Sequence, residues 1–547
     1  MRTMLLPLLA APLALAQPAP QPAPHAEPAK DAVPIAELRS VAESSDYKAT
    51  ALHAQVVSFL DAMAQDHRVT RLTLGTSTQG REIPLVILAD PPIRSAEEAQ
   101  IAREMDGKVV VFIIGNIHAG EVCGKEALPM LARDLLVRND PLLSRLIIAI
   151  APIYNCDGNE QVAVNNRPGQ NGPELGMGKR ENGQGLDLNR DFIKLEAPET
   201  RALVGFLNAW DPLLFIDTHT TNGSHHRFTI TYGGPKALAG DEAVRLFFRD
   251  RFMPQVADRY SASCGEPTFY YGSFGDGVFG DPAHDKATWG TYPAEARFGT
   301  NYVGLRGRMS LLSEAYSYAP YKDRVLRTYD FVHAALAWCD QNHDELARLC
   351  DGADARARAS PRDMVAIRTR TVACPGKVTV LGFEEEIKNG RSVSTGIPRD
   401  YSVDLLDCYE PEVSVARPRA YRIERDVRLE PVIDTLRMHG VVVREVRRAT
   451  TIPGERLTIT KATAASRPFQ GHVLVKAEAE AAAGDVPLNA GDWYISTAQP
   501  LSNLIVYALE PQSEDGLATW NFFDPWLTPG ATFPVWRITA PSIDGVE

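Results

Sequence analysis

The sequence predicts an α/β fold: a mixed, mostly parallel sheet covered by helices, followed by a β-rich accessory region. Three observations carry this reading. Unbroken apolar runs at 108–114 (after Lys108), 146–152 and 213–216 have the pattern of strands buried on both faces, and Leu311 and Leu312 end a fourth. Stretches with helical character lie between the first two runs, around 123–137, and before the third, around 198–209. From about residue 368 the composition changes to short β-prone runs separated by Pro and Gly.

Taken in order, Arg2, an apolar stretch over 4–15 and the small-x-small triplet Ala14-Leu15-Ala16 read as an export signal cleaved after Ala16. The apolar stretch falls short of the roughly 20 residues that span a bilayer. Residues 17–30 are rich in Pro and Ala and read as a tether. Over 49–64, Leu52, Val56, Val57, Phe59 and Leu60 form the apolar stripe of a helix. Strands are expected at 69–74 and 83–88, with Gln79, Gly80 and Arg81 turning between them. A helix over 322–339 closes the first domain, which spans 31–350. Residues 365–547 form the accessory region, with β-prone runs at 377–381, 440–445, 471–476 and 503–507.

The chain has 547 residues, too many for one ordinary core, so two domains are expected. Its formal charge of -12 argues against nucleic acid or an anionic membrane as the main partner. No internal segment is apolar for long enough to cross a membrane. The seven cysteines are too few and scattered for a disulfide-built scaffold, although Cys339 with Cys350, or Cys374 with Cys408, could bond.

In open α/β sheets, ligands bind just past the strand ends. Polar residues cluster there at 115–121, 155–158 and 217–223. His118 and Glu121 are three apart where a strand passes into a helix, and His219 follows another strand. Two imidazoles and a carboxylate suit one Zn2+ and leave a position open for water, as a catalytic site requires. Asp187 and Asp217 are candidates to accept from the outer nitrogens of those rings. Glu314, after the apolar pair Leu311-Leu312, is placed to take a proton from water and return it to a departing amine.

These motifs, in this order, resemble the zinc metallocarboxypeptidases, the family of the pancreatic digestive carboxypeptidases and their bacterial relatives. His118-x-x-Glu121 and His219 match the family's metal ligands, and Glu314 matches its catalytic glutamate. Residues 155–158 (Asn-Cys-Asp-Gly) and 185–192 (Gly-Leu-Asp-Leu-Asn-Arg-Asp-Phe) resemble its turn and substrate-binding segments. The resemblance covers about 45–340 and implies a carboxypeptidase-like sheet with a peptide or amide substrate. It also implies that Asn189 and Arg190 hold a free terminal carboxylate. Arg180, with Arg167 as competitor, would polarise the scissile carbonyl. Tyr292, with Tyr302 and Tyr316 as competitors, would cover the substrate. The tail over 509–524 also resembles the ends of some large bacterial members, with no role attached.

Two departures stand out. The digestive members carry an Arg between the His and Glu of the first motif, where this chain has Ala119 and Gly120. The stretch 270–302, rich in Gly, Pro and aromatic residues, resembles no known specificity loop. The leading expectation is an exported, periplasmic or secreted, zinc carboxypeptidase. The alternatives are a zinc amidohydrolase or endopeptidase of the same fold, acting on cell-wall peptides or N-acyl amino acids, or a binding protein that has lost catalysis. The complete ligand set and Glu314 argue against the last.

Overall fold

The computed structural model describes residues 21–22, 33–278, 286–359, 363–388 and 391–540. The expected leader at 1–16 lies outside the described residues, as does the expected tether at 17–30 apart from Gln21 and Pro22. No helix among the described residues is long and apolar enough to cross a membrane.

The first part of the chain is built on one mixed sheet. Its strands are β1 (Val69–Thr76), β2 (Glu82–Leu88), β3 (Val109–Gly115), β4 (Leu146–Ala151), β5 (Leu214–Thr221), β6 (Ile230–Gly233), β7 (Phe269–Tyr270) and β8 (Met309–Tyr316). Their order is β1-β2-β4-β3-β5-β8-β6-β7, with Gln21 and Pro22 paired at the outer edge of β1. The central four, β4, β3, β5 and β8, run parallel. Antiparallel β1 and β2 flank them on one side and antiparallel β6 on the other.

Every residue of β3, β4, β5 and β8 is buried, so both faces of the central sheet are covered. Helices α1 (His53–Met63), α2 (Ala96–Asp106), α3 (Cys123–Val137), α4 (Pro198–Trp210), α5 (Met253–Cys264) and α6 (Tyr321–Ala359) supply the cover. Helix α6 packs on both α3 and α5, while α2 packs on α4. It also runs well past Cys339, with a break at Asn342, where φ is -127°.

The accessory region is β-rich. Strand β9 (Met364–Val372) pairs with β12 (Cys408–Ala416). Between them, β10 (Lys377–Lys388) and β11 (Arg391–Leu406) form a long hairpin. A six-stranded sheet follows, containing β13 (Ala420–Ile423), β14 (Thr450–Ala464), β15 (Val475–Leu488), β16 (Trp493–Ser496) and β17 (Val535–Ile538). Strand β11 pairs in parallel with Thr288–Gly290 of the first part, so one sheet crosses between the two. Phe228, Phe274 and Trp289 share a buried cluster with Val380, Val403 and Leu405.

Three expected strands differ, one of them 471–476, where only Val475 and Lys476 lie in a strand, β15. Residues 503–507 lie in helix α8 (Ser502–Leu509), which follows α7 (Glu430–Met438) as the second α-helix of the region. A short run that is apolar all round fits a buried helix as well as a strand. In 440–445 only Arg444 and Glu445 pair as strand. Cys374 and Cys408 form a disulfide, while Cys339 and Cys350 are buried free thiols.

Candidate metal and substrate site

Three parallel strand ends build the site. At the end of β3 the chain turns through Asn116, whose φ of +67° is left-handed. Its Nδ2 donates to the Ala119 carbonyl at 3.1 Å. Glu121 N–H then donates to the His118 carbonyl at 2.8 Å, a turn that brings the two side chains together ahead of α3. Helix α3 presses on β5 at Gly124, where a Cβ would lie 1.8 Å from Thr218 Oγ1. On β5, Asp217 and His219 are two residues apart and share a face. Strand β8 sets Glu314 in register with His219.

His118 Nδ1 lies 3.0 Å from Glu121 Oε1, and His219 Nδ1 lies 2.8 Å from Glu121 Oε2. The opposite nitrogens meet carboxylates: His118 Nε2 is 3.0 Å from Asp187 Oδ1 and His219 Nε2 is 2.8 Å from Asp217 Oδ2. Both rings therefore turn Nδ1 inward and are held from behind, as oriented metal ligands are. One donor atom from each of His118, Glu121 and His219 lies within 4.8 Å of the others, and all three residues are buried. The chemistry of this donor set fits a single catalytic zinc ion.

The electrostatics follow from burial and close charges. Burial works to raise Glu121, but His118 and Arg167 hold it well below the usual carboxylate range. Burial opposes charge on His219, and Asp217 and Glu121 outweigh it, so its pKa rises well above the ordinary value. Glu314 goes the other way. Burial, with Glu121 and Asp217 nearby, pushes it up to about 8 against the pull of His219. Its Oε2 has no hydrogen-bond partner among the described residues.

Both arginines left open by the sequence reach this site. Arg180 Nε donates to Asp187 Oδ2 at 2.9 Å, and its Nη1 lies 3.8 Å from Glu121 Oε1. Arg167 Nη2 donates to Glu121 Oε1 at 2.7 Å. Arg167 also packs on Gly120, where a Cβ would come within 2.8 Å of its Nε. Arg167 thus brings a cation into the space beside position 120.

Asn189 and Arg190 stand on a single helical turn, Leu188–Arg190, capped by Asp187 Oδ1, which accepts from Asn189 N–H at 2.9 Å. Asn189 Oδ1 accepts from Gly299 N–H at 2.8 Å, which leaves Nδ2 facing His219, 3.4 Å from its Nε2. The Arg190 guanidinium donates to the Asn189 carbonyl and lies 4.3 Å from the centre of the Phe298 ring. Burial lowers the Arg190 pKa, and the like charges of Arg180 and Arg297 add to that against Asp187.

These side chains line one cavity of about 430 Å³, together with Tyr271, Tyr292, Phe469 and Gln470. Tyr292 is only 3% exposed, and its hydroxyl lies 3.0 Å from Thr300 Oγ1 and 3.3 Å from the Gly234 carbonyl. Tyr302 turns instead to His439 Nδ1 (2.8 Å), and the Tyr316 hydroxyl oxygen accepts from His226 N–H (3.2 Å). Tyr271 was not singled out by sequence. Its hydroxyl is 3.5 Å from Thr221 Oγ1, and its pKa is raised by burial and then by the Glu314 charge. Phe469 and Gln470 were also missed. They come from the accessory region, and no local signal ties them to the strand ends.

Residues 56–268 match the family model described as zinc carboxypeptidase. The segment includes all three metal-cluster residues and Arg190; Glu314 lies beyond it. The chain is similar to "Carboxypeptidase 2" of Trichophyton tonsurans, 22% identical over 484 residues that cover 84% of this chain and 81% of that one. It is also similar to "Carboxypeptidase Z" of Homo sapiens, 34% identical over 152 residues, or 26% of this chain and 21% of that one. A metallo-carboxypeptidase structure from Pseudomonas aeruginosa is similar at 19% identity and a TM-score of 0.38, covering 54% of this chain and 68% of the other. The segment that matches the zinc carboxypeptidase model thus carries the buried His118, Glu121 and His219 cluster, a donor set that fits one catalytic zinc ion.

Proposed function

We propose that this chain is an exported zinc carboxypeptidase that releases residues from the C-terminus of peptides. One observation carries the reading: the metal cluster, the unpartnered carboxylate oxygen of Glu314 and the Arg190 guanidinium all line a single walled cavity. Bound zinc supplies a Lewis acid for the scissile carbonyl and acidifies the attacking water. Glu314 takes the proton of that water and delivers it to the departing amine. A carboxyl with a pKa near 8 is suited to both transfers. Arg180 and Arg167 place positive charge beside the metal ligands, where the carbonyl oxygen becomes negative. Arg190 and the Asn189 amide hold the substrate's terminal carboxylate through charge-assisted hydrogen bonds. The assignment to the periplasm or exterior rests on Arg2, the apolar stretch and the Ala14-Leu15-Ala16 triplet.

The test compares kcat/KM for a short peptide with a free C-terminus and for its C-terminal amide, in wild type and R190A. The wild type should prefer the free acid strongly, and R190A should lose most of that preference. A charge-assisted hydrogen bond of about 2 kcal/mol corresponds to roughly thirtyfold. Equal cleavage of both peptides by wild type would reject chain-end recognition and favour an endopeptidase or amidohydrolase.

A further inference from the structure

Part of the cavity wall belongs to the accessory region. Strands β14 and β15 are joined by residues 465–474, and Phe469 and Gln470 of this connection line the cavity. Phe469 and His472 exchange backbone hydrogen bonds of 2.7 and 3.0 Å, closing a two-residue turn. Both central residues have left-handed φ, +51° at Gln470 and +81° at Gly471. Such mirror-image turns favour Gly, Asn and Asp. A Gln in the first central position departs from that preference at a place where the side chain meets the site.

The turn is held from several sides. His472 Nε2 lies 2.8 Å from Glu196 Oε1 and its Nδ1 lies 3.0 Å from Asn521 Oδ1. The Arg297 guanidinium packs on both aromatic rings, 5.3 Å from the centre of Phe469 and 5.0 Å from that of Trp520. Asp515, which is fully buried, pairs with Arg297 at 2.9 Å and accepts from Trp520 Nε1 at 2.9 Å. The tail motif, including Asp515, Trp520 and Asn521, thus acts as a buttress for this turn.

Gln470 Oε1 accepts from the backbone N–H of Asp187 at 2.8 Å. An N–H can only donate, so the amide orientation is settled: oxygen toward Asp187 and Nε2 on the other arm. Gln470 Nε2 has no protein partner among the described residues. Asp187 is the residue that orients His118 and caps the turn carrying Asn189 and Arg190. Gln470 therefore touches the frame of the carboxylate-binding residues through one arm and offers two N–H donors with the other.

We propose that Gln470 is a substrate-binding residue of the accessory region, its Nε2 donating to the terminal carboxylate held by Arg190. The proposal rests on the carboxypeptidase reading. It makes the accessory region a part of the active site, and it makes the recognition of a chain end a task shared by both parts of the chain.

A near-isosteric substitution separates this role from a structural one. Q470E keeps an oxygen to accept from Asp187 N–H and replaces the free amide donor with negative charge. The measurement is kcat and KM of the zinc-loaded full chain for the free-acid peptide and its amide, alongside zinc content and Tm, in wild type, Q470E and Q470A. Q470E should keep zinc and a Tm close to wild type while its KM for the free acid rises by about a hundredfold and kcat moves far less. Its KM for the amide should change little. Q470A should raise KM for the free acid by about tenfold. These values follow from losing a hydrogen bond to a charged group and, in Q470E, adding like-charge repulsion. If wild type prefers the free acid and Q470E binds it as well as wild type does, this proposal is overturned and the carboxypeptidase reading stands. If wild type shows no preference, both fall together.

Discussion

Glu314 shows how one residue's environment sets its chemistry. Burial and two neighbouring carboxylates make its charge costly, while His219 in register beside it favours the charge, and the balance lies near 8. The proposed proton shuttle needs this acid to be movable. E314Q removes it and preserves shape, so a zinc-loaded E314Q protein should fold and bind metal normally while losing about 10² to 10⁴ in kcat. Near-normal turnover by that variant would remove Glu314 from the chemistry. The shared rim of His118, Glu121, His219 and Glu314 was legible in the sequence because each comes shortly after an apolar run, His118 and Glu121 past the end of β3 and His219 and Glu314 within the last residues of β5 and β8. Gln470 was not legible. Its contact with Asp187 spans 283 residues and depends on a turn in another sheet.

At the level of elements, the meeting of α3 with β5 decides whether the two halves of the metal cluster coincide. Gly124 lies on α3 just after Glu121, and Thr218 lies on β5 just before His219. Thr218 Oγ1 donates to the Ile114 carbonyl at 2.9 Å and is thereby fixed. G124A would drive a methyl into it, since the ideal Cβ lies 1.8 Å from that oxygen and 2.7 Å from Thr218 Cβ. Overpacking of this kind costs about 1–3 kcal/mol. Urea unfolding should register that loss, and zinc affinity should fall as the helix shifts Glu121 away from His219. Stability within about 0.5 kcal/mol of wild type would show that the contact does not position the cluster. The central strands were readable because a strand buried on both faces has an unbroken apolar run. The same signal misled at 503–507, where α8 is buried all round and period carries no information.

Across the whole molecule, the accessory region and the sheet-bearing part share one construction. Strand β11 extends a sheet through Thr288–Gly290, and Tyr409 Oη donates to the Tyr292 carbonyl at 2.9 Å. Lys236 pairs with Asp407 across the same junction. Composition revealed a second, β-rich region, but not that it walls the cavity, because an accessory strand that pairs across a domain junction has the same local pattern as one that pairs within. The metal cluster remains the centre of the account, with every wall arranged around it. The most direct test is a zinc titration of chelated, folded wild-type protein, following peptide hydrolysis and bound metal together, with H219A in parallel. No hydrolysis is expected without metal, activity should rise to a plateau at one zinc per chain, and H219A should hold no stoichiometric zinc. Full hydrolysis by the metal-free chain, or equal stoichiometric zinc in H219A and wild type, would contradict this expectation.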